Sequence, residues 1–215
     1  MKGAVALTFD DGPCELSNDL LDILKKNDIK ATFFLTGWRI SKGEYQSIVK
    51  RIYDEGHQIG SHTWSHISMD SFTTAERIED MVRMEAILYD ILGFTPTYWR
   101  PPFGKCWTKQ CQTDLGMLGY HTMRWDVVTN DWAGNYTFAE HDFLSHISGK
   151  QASNSSALVL LHETARRTVY EFTQWIIDRS REQGYRFVRL GECMEDPEKN
   201  WYRYPSRKQS TLQHK

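Results

Sequence analysis

The sequence predicts an α/β fold, a single-domain distorted (β/α) barrel with about seven parallel strands spanning residues 1–215. Three observations carry this. Short apolar runs alternate with amphipathic helical stretches along the chain, the connections are of modest length, and no Pro/Gly-rich linker or internal repeat interrupts them. A chain of this length can bury one large core.

Ala4 to Phe9 reads as a buried strand that stops on Asp10 and Asp11 before Gly12-Pro13 breaks the chain. Parallel α/β folds bind ligands at the C-terminal ends of their strands, so the two acids mark a candidate site. Successive strand residues point in opposite directions, so the acids are expected to face different neighbours. The competing reading is an acidic turn after an edge strand.

Leu16 to Lys26 has helical spacing, Ala31 to Leu35 reads as a second buried strand, Ile48 to Glu55 as a helix stopped by Gly56, and His57 to Gly60 as a third strand. Thr73 to Glu76 has the form of a capping box, opening a long helix that ends at Gly93. Its stripe of Met81, Met84, Ile87 and Leu88 is core packing. Tyr98 to Arg100 is a strand cut short by Pro101-Pro102. Cys111 to Leu118 then suggests a helix, Tyr120 to Val128 a strand, Ala139 to Ser148 a helix and Ala157 to Leu161 a buried strand. A long helix over Thr164 to Gln183, closed by Gly184, leads to a last strand over Tyr185 to Leu190. Residues 195–215 are expected to form a peripheral C-terminal tail, without an apolar period from Asn200 onward.

A net charge of -2 and the absence of a basic stripe argue against nucleic acid and favour an uncharged polymer or small molecule as partner. No run of eighteen apolar residues exists and Met1 is followed at once by a strand, so neither a membrane span nor a leader is visible. The four cysteines, Cys14, Cys106, Cys111 and Cys193, allow two disulfides and lack Cys-x-x-Cys spacing. With sequons at Asn135 and Asn154, they favour a secreted or cell-wall protein.

His62 and His66 are four apart, which on a helical turn puts both imidazoles on one face, and they follow the third strand at the same edge as Asp11. Two His and one Asp make a metal set with positions open for water and substrate; two polar loop histidines are the competing reading. Arg100, with its backbone locked by the following prolines, can hold a carboxylate in its charged form, against a default of a surface ion pair. Trp125 and Trp132 offer aromatic faces of the kind sugar rings stack on, or core for Trp125, and Asp126 and Asp131 add acids. Leu158 to Leu161 leads into His162, placing an imidazole suited to proton transfer at a strand end.

Taken in order, Thr8-Phe9-Asp10-Asp11-Gly12, His62-Thr63-Trp64-Ser65-His66, Arg100-Pro101-Pro102-Phe103-Gly104, Asp131-Trp132 and Leu160-Leu161-His162 resemble the five motifs of NodB-type polysaccharide deacetylases, carbohydrate esterase family 4. Within that family the cysteines and the Gly191 to Tyr202 end are most similar to fungal chitin deacetylases. The resemblance implies that Asp11, His62 and His66 bind one divalent metal, usually Zn2+, with Co2+ or Mn2+ as alternatives. It implies Asp10 as general base, His162 as general acid, Arg100 orienting Asp10 with help from Asp131, the Phe103 backbone N–H as oxyanion donor, and Trp132 with Leu160 as the acetyl pocket. It also implies Cys14–Cys193 and Cys106–Cys111 bridges.

The implied reaction is hydrolysis of the N-acetyl group of GlcNAc units in chitin or chito-oligosaccharides, by a monomer acting on a carbohydrate. Two positions depart from the family pattern. Phe103 stands where Tyr is frequent, and Val128 stands where the fourth motif usually begins with Asp, for which Asp126 is a candidate substitute. Alternatives are an acetylxylan esterase, a peptidoglycan GlcNAc deacetylase and a weakly active carbohydrate-binding protein. An iron oxygenase with the same metal set ranks low, because its jelly-roll strands do not fit alternating βα units.

Overall fold

Ala4, Val5, Ala6, Leu7 and Phe9 are all completely buried, which a strand achieves only when both sheet faces are covered. They form β1 (Ala4–Gly12), the central strand of the computed structural model, which describes residues 1–149 and 152–204. After α1 (Ser17–Lys26) come β2 (Thr32–Leu35), α2 (Gly37–Ile40), α3 (Gln46–Asp54) and β3 (Gln58–Ser61). Next are α4 (Thr74–Leu92), β4 (Thr95–Pro96), β5 (Tyr98–Trp99), α5 (Lys109–Met117), β6 (His121–Thr122) and β7 (Val127–Val128). The chain continues through α6 (Tyr136–Ile147), β8 (Ser156–His162), α7 (Thr173–Glu182), β9 (Arg186–Phe187), α8 (Leu190–Cys193) and β10 (Tyr202–Arg203).

Seven parallel strands run in the order β6-β5-β3-β2-β1-β8-β7 and curl into a half-barrel, while β9 pairs with the first residues of β1. The predicted strand over Tyr120 to Val128 is two strands on opposite edges of this sheet. The Met123 N–H bonds Trp99 on one edge and the Asp126 N–H bonds Leu158 on the other, so residues 123–126 connect the two edges. Strand registers align Asp10 with His162 and Phe34, Leu35 with Ser61, and Ser61 with Trp99. The residues that follow these positions therefore gather at one rim.

The capping box at α4 is present, with the Thr73 side chain accepting from the Glu76 N–H and Glu76 accepting from the Thr73 N–H; Gly93 ends the helix at φ 77°. The predicted Thr164 to Gln183 helix contains a π-helical turn, Thr168–Phe172, before α7. The predicted last strand ends early, because the Glu192 carboxylate accepts from both the Arg189 N–H and its guanidinium and fixes the start of α8 at Leu190.

Two expectations are corrected. The Cys106–Cys111 bridge forms, but Cys14 and Cys193 are free thiols. Cys14 follows the C-terminal end of β1, whereas the Cys193 carbonyl accepts from the Met1 amino group, ahead of that strand's other end. A strand of this length separates its ends by roughly 25–30 Å, far beyond the reach of a disulfide. The second correction is to the peripheral tail. Trp201 is 1% exposed, its indole packs where any Gly191 side chain would lie, and β10 pairs antiparallel with β4. Residues 205–215 of that tail lie outside the described residues.

Trp201→Ala should therefore lower the unfolding free energy by about 3–5 kcal/mol, whereas Thr73→Ala at the exposed α4 cap should cost about 1 kcal/mol. Urea denaturation of both variants checks the ratio.

Candidate metal centre and active site

A register shift between Asp10 and Gly12 makes Asp11 a bulge with a left-handed backbone, φ 71°. The bulge re-aims the second acid, so Asp10 and Asp11 line the same cleft rather than opposite faces of the sheet, while keeping different partners. His62 follows β3 and His66 lies in an irregular loop, not on a helical turn. Positive φ at Thr63 (72°) and His66 (59°) folds this loop back. The Thr63 hydroxyl accepts from the His66 N–H at 3.0 Å, and the Asp80 carboxylate of α4 accepts from the Trp64 and Ser65 N–H groups.

Asp11 Oδ1 lies 3.3 Å from His62 Nε2 and 3.0 Å from His66 Nε2, and all three candidate ligand atoms fall within 4.8 Å of one another. His62 Nδ1 is 2.8 Å from the Arg100 carbonyl, an acceptor only, so Nδ1 carries the proton. The other ring nitrogen, Nε2, then faces a carboxylate oxygen of Asp11 that is buried and has no well-directed hydrogen-bond partner. Two electron-rich atoms in that position call for a cation between them, and the donor set fits a divalent metal.

Arg100 extends from the end of β5 and is completely buried. Its Nη1 donates to Asp10 Oδ1 (2.8 Å) and Thr8 Oγ1 (2.7 Å), its Nη2 donates to the Arg124 carbonyl (3.0 Å), and its guanidinium lies 4.3 Å over the Phe34 ring. Arg100 Nε has no partner among the described residues. Asp126 does not supply one, because its Oδ2 accepts from the Leu158 N–H.

Asp131 does not assist Arg100 either. Its Oδ1 accepts from His162 Nδ1 at 2.7 Å, and its Oδ2 accepts from the His162 N–H (2.8 Å) and the Thr168 hydroxyl (2.6 Å). Burial pulls the His162 pKa down, yet the bond and charge of Asp131, with Asp10 and Asp11 adding, raise it above the ordinary value. Asp131 Oδ1 thereby fixes the proton on Nδ1 and leaves Nε2 as the free ring atom.

The cleft has a volume of about 440 Å3, within the range of small-ligand sites. Asp10, Asp11, His62, His66, Phe103, Trp132, Leu160 and His162 all line it. Val128 and Trp125 line it as well, so Trp125 is not simply core. Phe103 (φ 57°) and Asn130 (φ 49°) present their loops to it in left-handed conformations.

Two buried acids that adjoin the site, Asp80 and Glu163, have no role in the sequence reading. Arg77, Asp80, Met81, Met84 and Leu88 form the buried face of α4, so a carboxylate on that stripe was the available signal for Asp80. Glu163, next to His162, is completely buried and bonded to Ser17, and a side chain at Gly12 would overlap its Oε1. Burial drives the Glu163 pKa up to about 8. Between its ordinary value and about 8, the folded protein keeps a proton that the unfolded chain releases, so stability falls as pH rises through that window. The Tm of the wild type should fall relative to Glu163→Gln between about pH 5 and 8, measured by calorimetry at fixed metal.

Comparison with known proteins agrees with this geometry. A family model described as polysaccharide deacetylase matches residues 1–123. A chitin deacetylase of Colletotrichum lindemuthianum is 40% identical over 208 residues, covering 94% of this chain and 83% of that protein. The solved structure of the chitin deacetylase from that fungus superimposes with a TM-score of 0.91 at 38% identity, covering 97% of this chain and 95% of the other. A peptidoglycan-N-acetylglucosamine deacetylase of Bacillus cereus is 34% identical over 193 residues, 88% of this chain and 67% of that protein. The chain belongs to the polysaccharide deacetylase family.

Proposed function

We propose that this protein is a metal-dependent hydrolase that removes the N-acetyl group from GlcNAc units of chitin or chito-oligosaccharides, yielding glucosamine units and acetate. The observation that carries the reading is the pairing of Asp10 with His162 in adjacent strands, flanking the Asp11, His62 and His66 group. A carboxylate and an imidazole on either side of a metal site are a base and an acid that metal-assisted hydrolysis of an amide can use.

Asp11, His62 and His66 would hold a divalent ion, which would supply Lewis acidity toward a water and the acetyl oxygen. Two imidazoles and a carboxylate suit zinc, with cobalt or manganese as substitutes. Asp10 Oδ1 is engaged by Arg100, which leaves Oδ2 to take the proton of the attacking water. The Phe103 N–H, presented by its left-handed turn, donates to the oxyanion as it forms. Trp132 and Leu160 enclose the methyl group. His162, held protonated by Asp131, delivers its Nε2 proton to the nitrogen as the C–N bond breaks, releasing the amine and acetate. We further take the protein to act as a single-domain monomer outside the cell or in its wall; the Cys106–Cys111 bridge suits an oxidising compartment. No helix of the described residues is long and apolar enough to cross a membrane.

Zinc-loaded Asp10→Asn should keep its metal and lose at least about a hundredfold in acetate release from chitin oligomers; undiminished release would refute the base. Acetate assays run in parallel on chitin oligomers, acetylxylan and peptidoglycan decide the substrate, and retention on chitin without turnover in excess zinc would indicate a binding protein. Asp131→Asn removes the charge that raises the His162 pKa, so the alkaline limb of the kcat/KM profile should move to lower pH. A profile that keeps its alkaline limb would contradict the assignment of His162 as acid.

A further inference from the structure

Five residues past Pro102 the chain exposes another large aromatic side chain, and everything around it is arranged to keep it still. Trp107 is 64% exposed. The Asp70 carboxylate accepts from the Trp107 backbone N–H (2.9 Å) and from the backbone N–H and hydroxyl of Thr108 (3.1 and 3.0 Å). The Cys106–Cys111 disulfide begins at the preceding residue. One face of the indole is covered by the Arg124 guanidinium, 3.7 Å from the ring, and the same guanidinium donates to the Gly104 carbonyl at 3.3 Å. An indole that served only to shield apolar core would be buried; this one is immobilised at the surface with a face left open.

Its position ties it to the cleft. Gly104 lines the cleft, a side chain there would meet the Trp125 ring, and Trp125 and Phe103 are themselves cleft residues. Arg124 links the two regions, since its side chain supports Trp107 and its carbonyl receives Arg100 Nη2. The open face of Trp107 is therefore held by the loop that also presents the Phe103 N–H.

We propose that Trp107 is a stacking platform for a second sugar ring of the substrate chain, next to the unit whose acetyl group enters the cleft. This rests on the carbohydrate substrate proposed above. The C–H face of an equatorially substituted pyranose is flat and apolar, and it matches an indole that loses no side-chain entropy on binding because it is already fixed. The chain's small net charge is consistent with a neutral polymer as the occupant. Affinity then rises with oligomer length by the stacking contribution of this one ring.

The test uses zinc-loaded Asp10→Asn protein, which binds without turnover, titrated calorimetrically with chitin oligomers from dimer to pentamer. Adding Trp107→Ala should reduce the gain in affinity from short to long oligomers by roughly three- to tenfold, and Trp107→Phe should recover most of it. Trp107→Leu, apolar but without a π face, should lose the gain as Ala does, which separates stacking from a folding defect. An unchanged length dependence in Trp107→Ala would overturn the platform while leaving the deacetylase reading intact. Absence of oligomer binding by the Asp10→Asn parent itself would overturn both.

Discussion

A guanidinium with no exposed surface is the constraint on which the site depends. Taking Arg100 out of water costs several kcal/mol, and the protein offsets this with the Asp10 carboxylate, the Thr8 hydroxyl, the Arg124 carbonyl and the face of Phe34. These partners come from the central strand, its neighbour and the segment joining the two sheet edges. The carbonyl of the same residue also sets the His62 tautomer. One side chain and its backbone thus orient Asp10, the proposed base, and His62, a proposed metal ligand, together. Removing the guanidinium would leave Asp10 buried and unpaired, which is the costly way to break such a pair.

The half-barrel makes room for this arrangement by not closing. Residues 123–126 join the edge strands instead of pairing as a strand, and the carbonyl of Arg124 is left free to meet the buried cation. Local strain concentrates in the same region. Of the seven non-glycine residues with positive φ among those described, Asp11, His66, Phe103 and Asn130 line the cleft and Thr63 follows His62. Such conformations cost of order 1–3 kcal/mol each and persist because surrounding hydrogen bonds, such as those of Asp80 to the His loop, over-determine them.

The two polar halves of the site have different supports. Asp10 is fixed by Arg100, whereas His162 is fixed by Asp131, itself held by Thr168 from the π-helical turn. The separation suits the proposed roles, a base that must stay ionised and an acid that must stay protonated within one cleft. Arg100 Nε has no partner among the described residues, and Asp126, whose Oδ2 accepts from the Leu158 N–H, does not provide one.

The sequence by itself determined the alternation of buried strands and helices, the α4 cap, and which strand ends carry acids and imidazoles, because these follow from local periodicity and from side-chain chemistry at a few positions. The ordered motifs brought Asp10, Asp11, His62, His66, Arg100 and His162 into one expectation before any contact was visible. Only the tertiary structure decided what depends on registers and distances: the bulge that turns Asp11 into the cleft, the split of Tyr120 to Val128 between two edges, the transfer of Asp131 from Arg100 to His162, and the burial of Trp201. The free thiols of Cys14 and Cys193 belong with these, because cysteine spacing is silent about which end of a strand each thiol sits beside. Each of these outcomes is set by a partner dozens of residues away, and local sequence carries no record of where the chain returns.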